Sequence, residues 1–274
     1  MATSTSSLAE NLRAGVRVYG TLIVSTSPKW VDVIDGIGLD FVFIDTEHTP
    51  IDRTTLAWMC KAYAGINAPA IVRIPSIDPS RATQIIDAGA AGVIAPYVET
   101  PDQIKRLVGA TKLRPLKGKR LEDLLGDKDS IDSVLRDYLS TYNQGNILIV
   151  NIESKPALDN LEEILAVDGL DGILIGPHDL SINLGIPEDY FNPRFDEAVK
   201  SIIHQARSKN LGVGIHFSGE LDLEIEWLKA GANLVVHNGD LNLFRRSLSL
   251  DLQRIKSALG ESSNSTQANQ QIII

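Results

Sequence analysis

Residues 147–180 read ILIVNIESKPALDNLEEILAVDGLDGILIGPHDL. Two short apolar runs, ILIVNIES (147–154) and GILIGP (172–177), bracket a helical pattern, KPALDNLEEILAV. Each run is too short for a helix and is continuous rather than alternating, the pattern of a strand covered on both faces. Strand, helix, strand in that order implies parallel pairing through a right-handed crossover.

The same unit recurs along the chain. VYGTLIVST (18–26), FVFID (41–45), APAIVRIP (68–75), GVIAPYV (92–98), LGVGIHFS (211–218) and NLVVHNGD (233–240) are further strand candidates. Between them SPKWVDVIDGIG, DRTTLAWMCKAYAG, SRATQIIDAG, TPDQIKRLVGAT, RFDEAVKSIIHQARSKN and ELDLEIEWLKAG carry helical patterns, many opening on Ser, Thr, Asp or Pro and closing on Gly. Eight such units predict a single (β/α)8 barrel, a TIM barrel, over residues 13–260, with a doubly wound open sheet as the alternative. The polar ends, residues 1–12 and 261–274, are expected to be disordered.

One segment breaks the rhythm. KLRPLKGKRLEDLLGDKDSIDSVLRDYLSTYNQG (112–145) is far longer than the usual connection of about two to six residues. It is expected as a long insertion after strand 4, serving as a lid or an interface element. Its cations Arg114, Lys117, Lys119 and Arg120 either grip a second substrate carboxylate or form a solvated face.

The chain has 274 residues, 43% hydrophobic and 22% charged, ample for a core. Its net charge of −9 argues against nucleic acid or an anionic membrane as partner, though not against an anionic small substrate. No stretch approaches the roughly 18 apolar residues that span a bilayer, and MATSTSSLAENL lacks the apolar core of a signal peptide, so a cytoplasmic location is expected. The single cysteine, Cys60, excludes an internal disulfide and reads as a packed core thiol.

In a barrel of this kind the chemistry sits at the C-terminal ends of the strands. There the sequence places Asp45, Glu47 and His48, Arg73, Asn151 and Glu153, then Pro177, His178 and Asp179, with His216, His237 and Asp240 on the last two strands. Glu153 and Asp179, on adjacent strand ends, can converge on one hard divalent cation; a surface carboxylate or a helix cap is the plainer reading of each. Arg73, inside an apolar run, needs a carboxylate partner: Asp45, Glu47 or a substrate. His48 can act as a general base if another carboxylate orients it, and Asp87 is a candidate for that task. No lysine is placed at a strand end for a Schiff base, which favours a metal route.

FVFIDTEHTPID, PAIVRIP, IIDAGAAGVIAPYVET, NIESKPALDNLEEI and VDGLDGILIGPHDLSINLG occur in that order. Together they resemble the HpcH/HpaI class II pyruvate aldolases, a family that includes 2-keto-3-deoxy and hydroxy-oxo-acid aldolases and macrophomate synthase. The likeness covers about residues 13 to 260. It implies a metal-dependent lyase that cleaves or forms 4-hydroxy-2-oxo acids through a pyruvate enolate. By position, Glu153 and Asp179 would bind Mg2+, Mn2+ or Co2+, and Arg73 would stabilise the enolate oxygen. His48, paired with Asp87, would serve as acid and base. Backbone amides around Pro177, His178 and Asp179 would hold the pyruvate carboxylate, with Asp45, Glu47 and Asn151 supporting the residues that touch substrate. The implied partners are a 2-oxo acid of pyruvate or oxaloacetate type and an aldehyde, in a homo-oligomer, trimer or hexamer.

Departures from the family pattern are Asn151 where glutamine is usual, His178 where a small residue is usual, and KLRPLKGKRLEDLL where a Tyr-Pro-Pro stretch and a Gly-Arg-Gly type turn are usual. They keep open an oxaloacetate decarboxylase or a macrophomate-synthase-like bond-forming enzyme using the same site. A non-catalytic barrel is the remaining alternative.

Overall fold

The computed structural model describes residues 5–127 and 130–261. Its strands are β1 (Val18–Leu22), β2 (Phe41–Asp45), β3 (Ala70–Arg73), β4 (Gly92–Ala95), β5 (Ile147–Ile152), β6 (Gly172–Ile175), β7 (Gly212–Phe217) and β8 (Leu234–Gly239). They pair in parallel in sequence order and close into a barrel as β8 returns to β1. The closure is the (β/α)8 architecture that the sequence rhythm implies, not an open sheet.

The helices are α1 (Thr5–Ala14), α2 (Lys29–Ile34), α3 (Arg53–Gly65), α4 (Pro79–Asp87), α5 (Pro101–Lys112), α6 (Gly118–Gly126), α7 (Ser133–Tyr142), α8 (Lys155–Asp159), α9 (Leu161–Leu165), α10 (Pro177–Asn183), α11 (Pro193–Ser208), α12 (Leu221–Lys229) and α13 (Asp240–Ala258). Local chemistry explains several starts. The side chains of Asp52, Asp78 and Asn192 accept backbone N–H bonds at the heads of α3, α4 and α11, the last two with proline in the first turn.

Alternation along each strand splits the core in two. Phe41, Phe43, Ile71, Ile147, Ile149, Leu174, Leu234 and Val236 fill the barrel interior. Val42, Ile44, Val72, Val93, Leu148, Val150, Ile173 and Ile215 lie beneath the helices. With both faces buried, neither shows a polar alternation, which is why the strands read as continuous apolar runs. Cys60 is a free, buried thiol of α3, and burial pushes its pKa up to about 12.

The expected disorder over residues 1–12 is corrected for residues 5–12, which belong to α1. Leu8, Ala9 and Leu12 are buried with the barrel-interior cluster. Leu12 lies so close to Gly212 that a Cβ there would meet its side chain at 2.9 Å. The Leu12 carbonyl accepts bonds from Arg207 at 3.0 Å and Asn233 at 2.8 Å. The i, i+4 pair Leu8 and Leu12 makes a short apolar stripe that plugs the N-terminal mouth of the barrel, a role that the preceding Ser/Thr run conceals. Residues 1–4 and 262–274, including nearly all of the expected C-terminal tail, lie outside the described residues.

The segment after strand 4 is also corrected. It folds as α6 and α7, between the end of α5 and the start of β5, which places it at the N-terminal end of the barrel. Lys112 and Arg13 there both pair with Asp171, one residue before β6. Asn143 donates to the Arg114 carbonyl at 2.8 Å. These helices do not cover the C-terminal strand ends, so a lid over them is excluded. Arg114 pairs with Asp87 and Lys119 with Asp123, so neither reaches a substrate in the C-terminal cavity.

Candidate functional site

A cavity of about 570 Å³ opens at the C-terminal ends of the strands. His48, Arg73, Asn151, Glu153, Pro177, His178 and Asp179 all line it. Sequence positions more than 100 residues apart are thus brought into one chamber. No lysine lines it among the described residues, in keeping with the absence of a Schiff-base candidate.

Asp45 and Arg73 face one another in the β2–β3 register. The Arg73 Nε donates to Asp45 Oδ1 at 2.8 Å and Nη2 to Oδ2 at 2.6 Å, a bidentate fork. Glu47 Oε2 lies 3.2 Å from Arg73 Nε. The guanidinium carbon sits 5.6 Å from the centroid of the Phe43 ring. Burial alone would raise the Asp45 pKa, but the Arg73 guanidinium outweighs it and holds the carboxyl below its usual range. Burial raises the pKa of Glu47, opposed by Arg73 and reinforced by Asp45 and Asp179.

Glu153 follows β5 and is 3% exposed. Its Oε1 accepts the Tyr97 N–H at 2.6 Å and its Oε2 the Asn151 amide at 3.0 Å. Tyr97 adopts a left-handed backbone, φ 50°. Gly176 allows the carboxylate to approach, since a Cβ there would lie 2.0 Å from Glu153 Oε2. Burial raises the Glu153 pKa, and the neighbouring Asp179 carboxylate adds to the rise. Asn183 donates to the carbonyls of Glu153 at 3.3 Å and Asp179 at 3.0 Å, tying the two strand ends together.

Three features of this corner suit a hard cation. Burial disfavours the charged form of Glu153 and the Asp179 carboxylate adds to that cost, which a bound cation would offset. Asn151 Oδ1 is buried without a hydrogen-bond partner. All the donor atoms are oxygen, the preference of Mg2+ and Mn2+. Among the described residues no group of three or more His, Cys, Asp or Glu is arranged to hold a metal. A site with two protein carboxylates, completed by water and substrate oxygens, is the arrangement by which Mg2+ is commonly held.

His48 stands half exposed at the rim, its Nε2 3.5 Å from Glu47 Oε2. The expected His48–Asp87 pair is corrected. Asp87 ends α4, at the opposite end of the barrel, and is paired with Arg114. Helix α4 leaves the C-terminal side at Pro79 and carries Asp87 down to the N-terminal side, so within one chain the two cannot meet. His178 Nδ1 lies 3.3 Å from Glu188 Oε1 at the cavity mouth. Pro177 carries no N–H, so only His178 and Asp179 can offer first-turn amides to an anion.

The structure adds residues to which the sequence had assigned no role. His216 lines the cavity, with Nε2 3.0 Å from the Asn238 carbonyl oxygen, and burial pushes its pKa down to about 4. Tyr97 fixes Glu153 through its backbone, a role that no side-chain pattern announces. Asp240 accepts the N–H groups of Val24 and Ser25 and anchors the loop after β1. His237 points outward to Glu224, Nδ1 to Oε2 2.6 Å, away from the chamber.

A sequence model of the HpcH/HpaI aldolase/citrate lyase family matches residues 19–247. The 2-keto-3-deoxy-L-rhamnonate aldolase of Escherichia coli O17:K52:H18 (strain UMN026 / ExPEC) is 31% identical over 253 residues, 92% of this chain and 94% of that protein. Among solved structures, an HpcH/HpaI aldolase/citrate lyase family protein from Burkholderia cenocepacia J2315 superposes with a TM-score of 0.78 at 29% identity, covering 92% of this chain and 99% of that one. The citrate synthase SbnG superposes with a TM-score of 0.78 at 27% identity, covering 93% and 100%.

Proposed function

The chain belongs to the HpcH/HpaI aldolase/citrate lyase family, and from that premise we propose that it is a divalent-metal-dependent aldolase cleaving or forming 4-hydroxy-2-oxo acids through a pyruvate enolate. The observation that carries this reading is the convergence of Glu153, Asp179 and the unpartnered Asn151 Oδ1 beside the Arg73 guanidinium in one chamber. Glu153 and Asp179 would hold Mg2+, Mn2+ or Co2+. Such a cation, when bound, acts as a Lewis acid on the keto oxygen of the 2-oxo acid.

The chain's own groups supply the rest. Asp45 occupies the Nε hydrogen and one Nη2 hydrogen of Arg73, which leaves Nη1 and the second Nη2 hydrogen as donors for the oxygen on which negative charge develops. Arg73 is held rigid by the fork and by Phe43, so its orientation is set before substrate arrives. His48, at the rim, takes the proton from the substrate hydroxyl as the carbon–carbon bond breaks, with Glu47 orienting the imidazole. The first-turn amides of His178 and Asp179 face the substrate carboxylate. Tyr97 and Asn151 fix the Glu153 carboxylate.

The test is chelation. EDTA should abolish cleavage of a 4-hydroxy-2-oxo acid and added Mg2+ or Mn2+ should restore it; full turnover in chelator would sink the reading. A second reading, a decarboxylase or bond-forming enzyme acting on oxaloacetate, is favoured by the likeness to a citrate synthase at 27% identity. Release of pyruvate from oxaloacetate alone separates the two. We also infer a cytoplasmic homo-oligomer: Phe244, Leu248, Leu252 and Ile255 stand exposed along α13, and no described helix is long and apolar enough to cross a membrane. Light scattering on the purified chain tests the oligomer.

A further inference from the structure

Resting on the aldolase reading above, we propose that His216 is a specificity-determining residue of the same cavity. Its Nδ1 accepts a hydrogen bond from a substrate hydroxyl other than the 4-hydroxyl that His48 deprotonates, and so selects 2-oxo acids that carry a hydroxyl beyond carbon 4.

The position follows from strand alternation. Val213, Ile215 and Phe217 of β7 pack beneath the helices, so His216 faces inward, and it lines the chamber beside Arg73. Its ring is held from two sides. Nε2 lies 3.0 Å from the Asn238 carbonyl oxygen, and the ring stands edge-on to Phe43 at 5.4 Å between centroids. The Phe43 ring also carries the Arg73 guanidinium, so one aromatic surface sets His216 and Arg73 as neighbours. Asn238 is held at φ 54°, a left-handed conformation that aims its carbonyl at the imidazole.

These contacts decide the tautomer. A carbonyl oxygen only accepts, so Nε2 carries the hydrogen and Nδ1 of the neutral ring carries a lone pair. The flipped ring would set a carbon against the carbonyl and lose that bond. Burial and the positive charge of Arg73 keep the imidazole neutral, with the Asn238 hydrogen bond and Asp45 opposing and His237 assisting, so the ring stays uncharged down to a pH of about 4. A neutral acceptor suits this place. A carboxylate there would repel an anionic 2-oxo acid, and a charged imidazole would have no acceptor to offer. The oxygens of Glu153 are engaged by Tyr97 and Asn151 and turned to the cation corner. His216 therefore supplies an uncharged acceptor in the chamber, the group that distinguishes O–H from C–H.

The experiment compares kcat/KM for cleavage of a 4,5-dihydroxy-2-oxo acid with kcat/KM for cleavage of the 4-hydroxy-2-oxo acid of the same chain length, which lacks the 5-hydroxyl. It uses the full chain with Mn2+, as wild type, His216→Gln and His216→Asn. Glutamine can keep a donor toward the Asn238 carbonyl but has no acceptor where Nδ1 stood; asparagine places its amide oxygen there. His216→Gln should lower the ratio of the two constants about fivefold, through KM more than kcat, as expected for one lost substrate hydrogen bond of about 1 kcal/mol. His216→Asn should restore most of the ratio. Equal losses on both substrates, or a fall common to both variants, overturns the proposal, because either outcome reports only the lost packing on Phe43. A wild-type chain with Mn2+ that turns over neither substrate overturns the aldolase reading itself, and with it this inference, before any variant is compared.

Discussion

Asp45 and Arg73, facing residues at the ends of adjacent strands, form a buried bidentate pair with Nε–Oδ1 2.8 Å and Nη2–Oδ2 2.6 Å. The pair answers which carboxylate satisfies the buried guanidinium, and it fixes which guanidinium hydrogens remain for substrate. Asp45→Ala should destabilise the protein by roughly 3–5 kcal/mol, because a buried cation loses its main partner. Urea denaturation measures it; a loss under 1 kcal/mol would mean that Glu47 alone suffices. Arg73→Ala should lower turnover by roughly a hundred- to a thousandfold, the scale of a lost donor to developing charge.

Glu153 is the proposed metal ligand, and burial disfavours its charged form. Glu153→Gln removes the charge and keeps the shape, so the metal-free protein should become more stable. The rise in Tm that Mn2+ produces in the wild type should vanish, since only binding to the native state raises Tm. Thermal scans with and without Mn2+ decide this. An unchanged Mn2+ shift would remove Glu153 from the metal site.

Tyr97 acts through its backbone. Its N–H reaches Glu153 Oε1 at 2.6 Å from a left-handed conformation. Tyr97→Gly should preserve Mn2+ affinity, because glycine adopts that conformation freely. Tyr97→Pro removes the donor and forbids the backbone angle, and should weaken Mn2+ binding at least tenfold by calorimetry. Equal affinities for the two variants would show that the N–H does not position the carboxylate.

His216 predicts an acid limb in stability. Its native pKa, about 4, lies below the 6.5 usual for a free histidine. The unfolded chain therefore binds more protons between those values, and stability falls as pH drops through that window. The contribution is present above pH 6.5 and is lost progressively toward pH 4. Its full size is on the order of 3 kcal/mol, and His216→Gln should flatten this part of the curve by about that amount. A parallel curve for the variant would exclude His216 as the cause.

The barrel was legible in the sequence because its physical origin is local and repeated. Strands buried on both faces give continuous apolar runs such as ILIV and GILIG, and the caps and glycines between them mark the helices. The site was legible in part for the same reason: the chemistry must sit at strand ends, and Arg73 inside an apolar run demanded a partner. Asp87 was misread because its place depends on the direction of α4. A helix that begins at the active face ends at the other, and neither spacing nor polarity records which end a residue reaches. Helix α1 was missed because two leucines give too weak a period to outweigh a polar lead-in.

The sequence by itself determined the fold and the residue types available to the chemistry, because hydrophobic period and strand-end polarity are written residue by residue. Only the tertiary structure decided which groups meet. It set Asp45 on Arg73 and the Tyr97 backbone on Glu153, turned His216 inward and His237 outward, and carried α6 and α7 to the far end of the barrel. Those outcomes depend on register, strand alternation and the closure of the sheet, which join residues distant along the chain and leave no local trace.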